Sequence, residues 1–270
     1  MGVVKFLFWN LNRGDLRELI CELARAERID VFLLVESGCP PWRIMEAINA
    51  ERAEYKYGFT NCERLICLTR FDSRWMDPLL ENDRVSIRKL QLPGRPALLV
   101  AAAHLPSKIN FSADSQILEA TELARMIEQV EAGEGHTRTV VMGDLNMNPF
   151  EPGVVGARGG LHAVMSRRVA ARQSRTVQRQ PYRFFYNPMW NHLGDARHAG
   201  GTFYYDGSEP VCYFWNMYDQ VLLRPDLLEN FAPEQVRILT EVGGVPLLTN
   251  GRPNSAVASD HLPVMLELEV

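Results

Sequence analysis

Short apolar runs recur along the chain, each bounded by turn-forming residues. Val3–Trp9, Val31–Val35, Arg64–Thr69, Ala97–Ala103 and Thr139–Met142 have the length of buried strands. Further strands are predicted at Val211–Phe214, Tyr218–Leu223, Val236–Leu239 and Val264–Val270. Two stretches change to a helical period. Leu16, Leu19, Ile20 and Leu23 share one face of a helix that Asp15 caps and that runs to about Arg28. Ile117, Ala120, Ala124 and Ile127 stripe a second helix, capped by Ser112 and reaching about Val130. Gly38 and the pair Pro40-Pro41 break the chain after the second strand. Strands outnumber helices, and the helices are scattered between them. That order predicts a layered α/β fold, with sheets inside and helices outside.

Composition narrows this little. Among 270 residues, 46% are apolar and 23% charged, which excludes a disordered, collagenous or coiled-coil chain. The five cysteines, Cys21, Cys39, Cys62, Cys67 and Cys212, fit no zinc pattern and are expected as reduced thiols. No apolar run is long enough to span a membrane. The apolar stretch near Met1 is too short for a signal peptide, and no small-residue cleavage site follows it. A cytoplasmic protein is expected.

The candidate chemistry lies where the strands end. Six apolar segments finish in unusual polar residues: Trp9-Asn10-Leu11-Asn12, Val35-Glu36, Ala103-His104, Gly143-Asp144-Leu145-Asn146, Tyr218-Asp219-Gln220 and Ser259-Asp260-His261. One such ending is ordinary; an Asp after Gly is commonly just a turn. Six are not ordinary, because carboxylates are costly to bury unless they are paired or hold a cation. If the strand ends converge, Glu36, Asp144, Asp219 and Asp260 meet in one cleft with two histidines and three amides. Oxygen-rich ligation suits Mg²⁺ or Mn²⁺, and the lack of clustered Cys and His argues against zinc.

The order of these motifs resembles the endonuclease/exonuclease/phosphatase superfamily, metal-dependent phosphoesterases that include deoxyribonuclease I and exonuclease III. The resemblance runs from Trp9-Asn10 to Asp260-His261, and its most specific part is Gly-Asp-Leu-Asn at 143–146 together with Ser-Asp-His at 259–261. It implies a four-layer sandwich of two mixed β-sheets flanked by helices, formed as a single domain over 1–270. It implies Glu36 as main metal ligand with Asn10 nearby, and Asp260 as a further acidic ligand or a group close behind the ligands. Asp144 would orient or deprotonate the attacking water, and Asn146 would hold that water or a phosphate oxygen. His261, oriented by Asp219, would contact the scissile phosphate. His104 would donate to a phosphate oxygen or to the leaving group. Asn12 falls where several relatives have Asp, and an amide ligates a cation more weakly than a carboxylate. A monomer is the expected state.

Charge distribution bears on the substrate. The net charge is −4, from 29 basic and 33 acidic residues. Between Pro152 and Gly194 there are seven arginines and no acid, so the rest of the chain holds 22 basic residues against all 33 acids. Arginines beside aromatics suit nucleic acid, especially single-stranded or distorted forms. Arg172, Arg175, Arg179, Arg183 and Tyr186 are therefore expected to bind substrate, on a basic, aromatic-rich, loop-rich insertion at about 152–210 beside the cleft. Aromatics crowd the end of this stretch and continue beyond it; Phe203, Tyr205, Tyr213 and Trp215 fall at strand-like spacing, and at least half are expected in the core. The leading expectation is a nuclease acting on DNA. The alternatives are a phosphatase or phosphodiesterase for a small-molecule, lipid or adducted-end phosphoester, and a non-catalytic nucleic-acid-binding module.

Overall fold

Period-two alternation in the strands builds the layers. In the computed structural model, which describes residues 2–109, 111–195 and 199–270, the strand Val3–Asn10 turns Val4, Phe6 and Phe8 one way and Leu7 and Trp9 the other. The first set packs against Val100, Ala102, Val140, Met142, Val221 and Leu223, forming the core between two sheets. Leu7 and Trp9 pack outward against Leu19, Ile20 and Leu23 of the helix Arg17–Ala26. On the opposite side, Leu99, Ala101 and Val141 meet Ala120, Leu123 and Ile127 of the helix Ala113–Glu134. The result is a four-layer sandwich of helix, sheet, sheet and helix. Strands buried on both faces read as continuous apolar runs for this reason.

The six-stranded sheet runs in the order Val236–Ile238, Val264–Glu269, Val3–Asn10, Val31–Val35, Leu65–Thr69, Lys56–Gly58. The seven-stranded sheet runs Met76–Glu81, Val85–Leu90, Leu98–His104, Thr139–Asp144, Asp219–Leu223, Phe185–Tyr186, Ala163–Val164. Both are mixed: Val3–Asn10 lies parallel to Val31–Val35, and Leu98–His104 parallel to Thr139–Asp144. The five cysteines are all free. No helix among the described residues is long and apolar enough to cross a membrane.

Several local expectations are corrected. Asp15 does not cap the first helix; its carboxylate is held by the Arg17 guanidinium at 2.7 Å. Pro40-Pro41 does not merely break the chain. Pro41 opens a helix, Pro41–Ile48, because its missing N–H would be unpaired there anyway. Val211–Phe214 is not a strand; the strand is Phe214–Asn216, which pairs with Phe203–Tyr205 as a separate hairpin. The 152–210 segment, of which 196–198 lie outside the described residues, is less loop-rich than expected. Ala163–Val164 and Phe185–Tyr186 complete the seven-stranded sheet. Of the aromatics in this segment and just beyond it, Phe184, Phe185 and Tyr186 are buried, whereas none of Phe203, Tyr205, Tyr213 and Trp215 is.

Arg224 joins the sheet to its helix. Its Nε and Nη2 donate to the two carboxylate oxygens of Glu131 at 2.8 and 3.1 Å, and its guanidinium lies 3.9 Å from the Phe185 ring centroid. Thr139 Oγ1 donates to the same carboxylate at 2.7 Å. Both charged side chains are buried, so Arg224→Ala strands a carboxylate in the core. We expect a loss of about 3–5 kcal/mol, read from urea unfolding.

Candidate active site

The inward-facing alternation that builds the core also aims the polar strand ends. Asn10 continues the Phe6, Phe8 face, and His104 continues Val100, Ala102. Asp144 continues Val140, Met142, and Asp219 precedes Val221, Leu223. His104, Asp144 and Asp219 then stand in register on three adjacent strands. Gly143 permits that closeness, since a Cβ there would lie 2.2 Å from the Ala103 carbonyl oxygen.

Two more residues arrive by turns. Glu36 would point outward after Val35, but its left-handed backbone, φ 50°, redirects it. Such a conformation is unfavourable for Glu and is sustained by neighbours. The Arg13 N–H donates to the Glu36 carbonyl at 2.7 Å, and the Gly38 N–H to the Gly14 carbonyl at 3.1 Å. A Cβ on Gly38 would sit 1.9 Å from the Arg13 carbonyl oxygen, so only glycine lets the two turns interlock. His261 is placed by Ser259, whose hydroxyl donates to the Asn10 carbonyl and accepts from the His261 N–H. Trp9 Nε1 donates to the His261 carbonyl at 2.9 Å.

These groups form one connected cluster. His261 Nδ1 and Asp219 Oδ2 are 2.8 Å apart, and His261 Nε2 is 4.0 Å from Asp144 Oδ2. Asn10 Nδ2 donates to Asp144 Oδ2 at 3.0 Å, and the Asn146 N–H to Asp144 Oδ1 at 2.9 Å. His104 Nε2 lies 3.2 Å from Glu36 Oε1 and 3.9 Å from Asp144 Oδ2. Asn146 is oriented by its own amide, which donates to the Leu105 carbonyl at 2.8 Å. Asp260, half-buried, lies at the edge with Oδ1 3.4 Å from Ser259 Oγ. Asn12 is exposed; its backbone N–H donates to Asn10 Oδ1.

The electrostatics divide the cluster in two. Burial pulls the His261 imidazolium down, but the charges of Asp219 and Asp144 and the Asp219 hydrogen bond outweigh it, raising it to about 10. His261 is thus a cation at neutral pH. Asp144 is pushed up chiefly by burial, with Asp219 adding and the two histidines and Asn10 opposing. Glu36 is pulled down, first by the His104 hydrogen bond and against burial, so it stays ionised. Burial raises Asp260.

Asp144, Asp219 and His261 bring ligand atoms within 4.8 Å of one another, the one such group among the described residues. In its protonated form the His261 imidazole offers an N–H donor rather than a ligand lone pair. Glu36, Asn10 and Asp260 carry oxygen donors of the kind a hard cation takes.

No protein-family model matches the chain, and no curated protein matches it. Solved structures do. A Bacteroides thetaiotaomicron endonuclease/exonuclease/phosphatase family protein superposes with a TM-score of 0.61 at 11% identity, covering 99% of this chain and 95% of that one. A truncated Caenorhabditis elegans TDP2 gives 0.57 at 15% identity, covering 99% and 98%. A humanized D. rerio TDP2 gives 0.56 at 16% identity, covering 99% of each. The chain has the endonuclease/exonuclease/phosphatase fold.

Within that fold, Asn10, Glu36, His104, Asp144, Asn146, Asp219 and His261 come together, with Asp260 beside them. The expected substrate residues do not. Tyr186 is 3% exposed, packed on Phe231 in the core, because its strand pairs with Leu223 inside the sheet. The arginine segment is not beside the cleft. Leu223 is four residues along the strand from Asp219, about 13 Å, so Arg172, Arg175, Arg179 and Arg183 attach at the opposite end of the sheet. Arg183 lies 3.8 Å from Glu131, which bonds Thr139 at the start of the Asp144 strand.

Sequence reasoning passed over Asn148 and Lys108. Asn148 Nδ2 donates to Asn216 Oδ1, and its Oδ1 accepts from the Met217 N–H, tying the Asp144 loop to the Asp219 strand. Its place two residues past Asn146 was the available signal. Lys108 sits 5.2 Å from the Tyr218 ring, and Phe203 stacks between Tyr218 and His261 at 5.4 and 4.8 Å. Nothing local in the sequence marks Lys108.

Proposed function

We propose that this protein is a divalent-metal-dependent phosphodiester hydrolase whose substrate is nucleic acid, DNA in the first instance. The observation that carries the reading is the Asp219–His261 pair set 4.0 Å from Asp144, with ionised Glu36 across the cleft. Glu36, Asn10 and Asp260 would hold Mg²⁺ or Mn²⁺, which lowers the pKa of bound water and stabilises charge on phosphate oxygens.

The chain's own groups supply the rest. Asp144 is the general base. Its two oxygens are oriented by Asn10 and the Asn146 N–H, and its burial makes it a stronger acceptor for the proton of an attacking water. His261 presents a cation to a nonbridging phosphate oxygen, and Asp219 fixes its ring and keeps it charged. His104 reaches the same space through Nε2 and is placed to donate toward the leaving oxygen. The oriented Asn146 amide holds the water or a phosphate oxygen.

A substrate panel with Mg²⁺ or Mn²⁺ tests this reading: duplex, nicked and single-stranded DNA, RNA, an abasic duplex, inositol phosphates and sphingomyelin. Cleavage of the DNA substrates is expected. Turnover of only the small or lipid phosphoesters moves the protein to the phosphatase alternative. Binding of nucleic acid without cleavage of any substrate leaves a binding module.

A further inference from the structure

The arginines that the cleft leaves unused lie on a two-stranded ribbon and on the segment leading into it. Ser174–Val177 and Gln180–Arg183 pair only with each other, as a two-stranded antiparallel ribbon outside both main sheets. None of its strand residues is buried. A lone two-stranded ribbon is marginally stable in water, so something must hold its base. Two contacts do. His162 is buried on Phe184, with Nδ1 at 3.1 Å from the Arg183 carbonyl, and its Nε2 accepts from Arg175 Nε at 2.9 Å. Arg183 reaches the Glu131 carboxylate.

The tip is built from Gln178 and Arg179, both left-handed, with φ 49° and 69°. That is the tight turn whose twist matches a ribbon, and it puts Arg179 at the apex. Arg168 and Arg172, on the segment leading into the ribbon, are exposed. Among the described residues no carboxylate pairs with Arg168, Arg172 or Arg179. From 152 to 194 the chain offers them no acid at all. Unpaired, exposed guanidinium groups on a rigid base suit a polyanion.

The shape selects which polyanion. The B-DNA major groove is about 12 Å wide and admits a two-stranded β-ribbon, whereas the deep, narrow A-form groove of RNA does not. Binding of single strands would need exposed stacking platforms. The ribbon's one aromatic, Tyr182, is half-buried against the His162 ring at 6.3 Å and is not such a platform.

We propose that the Ser174–Arg183 ribbon is a docking element for duplex DNA, entering the major groove while Arg168, Arg172 and Arg179 contact phosphates, at the end of the sheet opposite the cleft. The inference shares with the proposed function only its nucleic-acid partner and concerns binding, not hydrolysis. The element would hold a long duplex while the cleft works elsewhere on it.

The test is fluorescence anisotropy of the full chain with a short labelled DNA duplex, the matching single strand and an RNA duplex of equal length. All titrations are made in EDTA, between about 50 and 200 mM salt. The triple variant Arg168→Gln, Arg172→Gln, Arg179→Gln should flatten the slope of log affinity against log salt for duplex DNA by roughly 2–3. Arg179→Gln alone should flatten it by about 0.9. The other two ligands should change little. A thermal melt matching the wild type shows that the fold is retained, and the single tip variant serves if the triple variant melts early. An unchanged slope overturns the proposal. So does equal loss for the single strand or the RNA duplex, and so does a wild-type chain that binds no duplex. Because no metal is present, failure here is distinct from failure of the substrate panel.

Discussion

Asp144→Asn is expected to lower turnover of a DNA substrate by at least about 100-fold, the low end for loss of a general base. The substitution preserves volume but not chemistry. Asp144 accepts two hydrogen bonds, from Asn10 Nδ2 and from the Asn146 N–H. An amide at 144 keeps only one acceptor oxygen, so its NH₂ would face one of those donors. Asn10 cannot simply flip to receive it, because Asn10 Oδ1 already accepts from the Asn12 N–H. His261 also loses one of the two carboxylates that keep it protonated. The variant should therefore lose both a base and part of the cationic contact, with kcat falling more than KM rises. Steady-state kinetics on a labelled oligonucleotide measure this. Wild-type kcat in the variant would remove Asp144 from the chemistry.

Removal of divalent metal should have an effect of similar size, at least about 100-fold in turnover, reversed by Mg²⁺ or Mn²⁺. The physical ground is the ionised, partly exposed Glu36 carboxylate beside His104, with the oxygen donors of Asn10 and Asp260 proposed to complete the site. A readout free of turnover is available, because a ligand that binds only the folded chain raises its stability. At 100 times its dissociation constant, Mn²⁺ should add about 2.7 kcal/mol. Glu36→Gln should require much more Mn²⁺ for the same thermal shift. Full activity in excess EDTA, or a Mn²⁺ shift that Glu36→Gln leaves intact, would refute the assignment.

Much of the cluster was legible because strand alternation and chemistry coincide. Phe6, Phe8, Asn10 and Val140, Met142, Asp144 each read as an inward row that ends in a polar group. Burial of such a group is costly, so several of them at strand ends point to one polar cleft. Glu36 is legible as the polar end of its apolar run and by resemblance; by alternation it faces outward, and only the left-handed turn locked to Arg13 and Gly38 brings it in.

Tyr186 and the arginines mark where the structure departs from the expected placement beside the cleft. Proximity in sequence between 152–194 and the Asp144 loop suggested proximity in space. Tyr186 instead pairs with Leu223, and antiparallel pairing sends that end of the strand away from Asp219. A tyrosine beside arginines looks like a stacking residue until its strand is seen inside the sheet.

The sequence by itself therefore determined the layered α/β architecture, the polar strand ends and the separation of −4 into an acidic body and a basic segment, since periodicity and charge are local properties of the chain. Tertiary structure alone decided that the strand ends meet, that Glu36 turns inward and that the arginine ribbon stands at the opposite end of the sheet. Those outcomes depend on register and strand direction, which are set by pairing between segments remote in sequence.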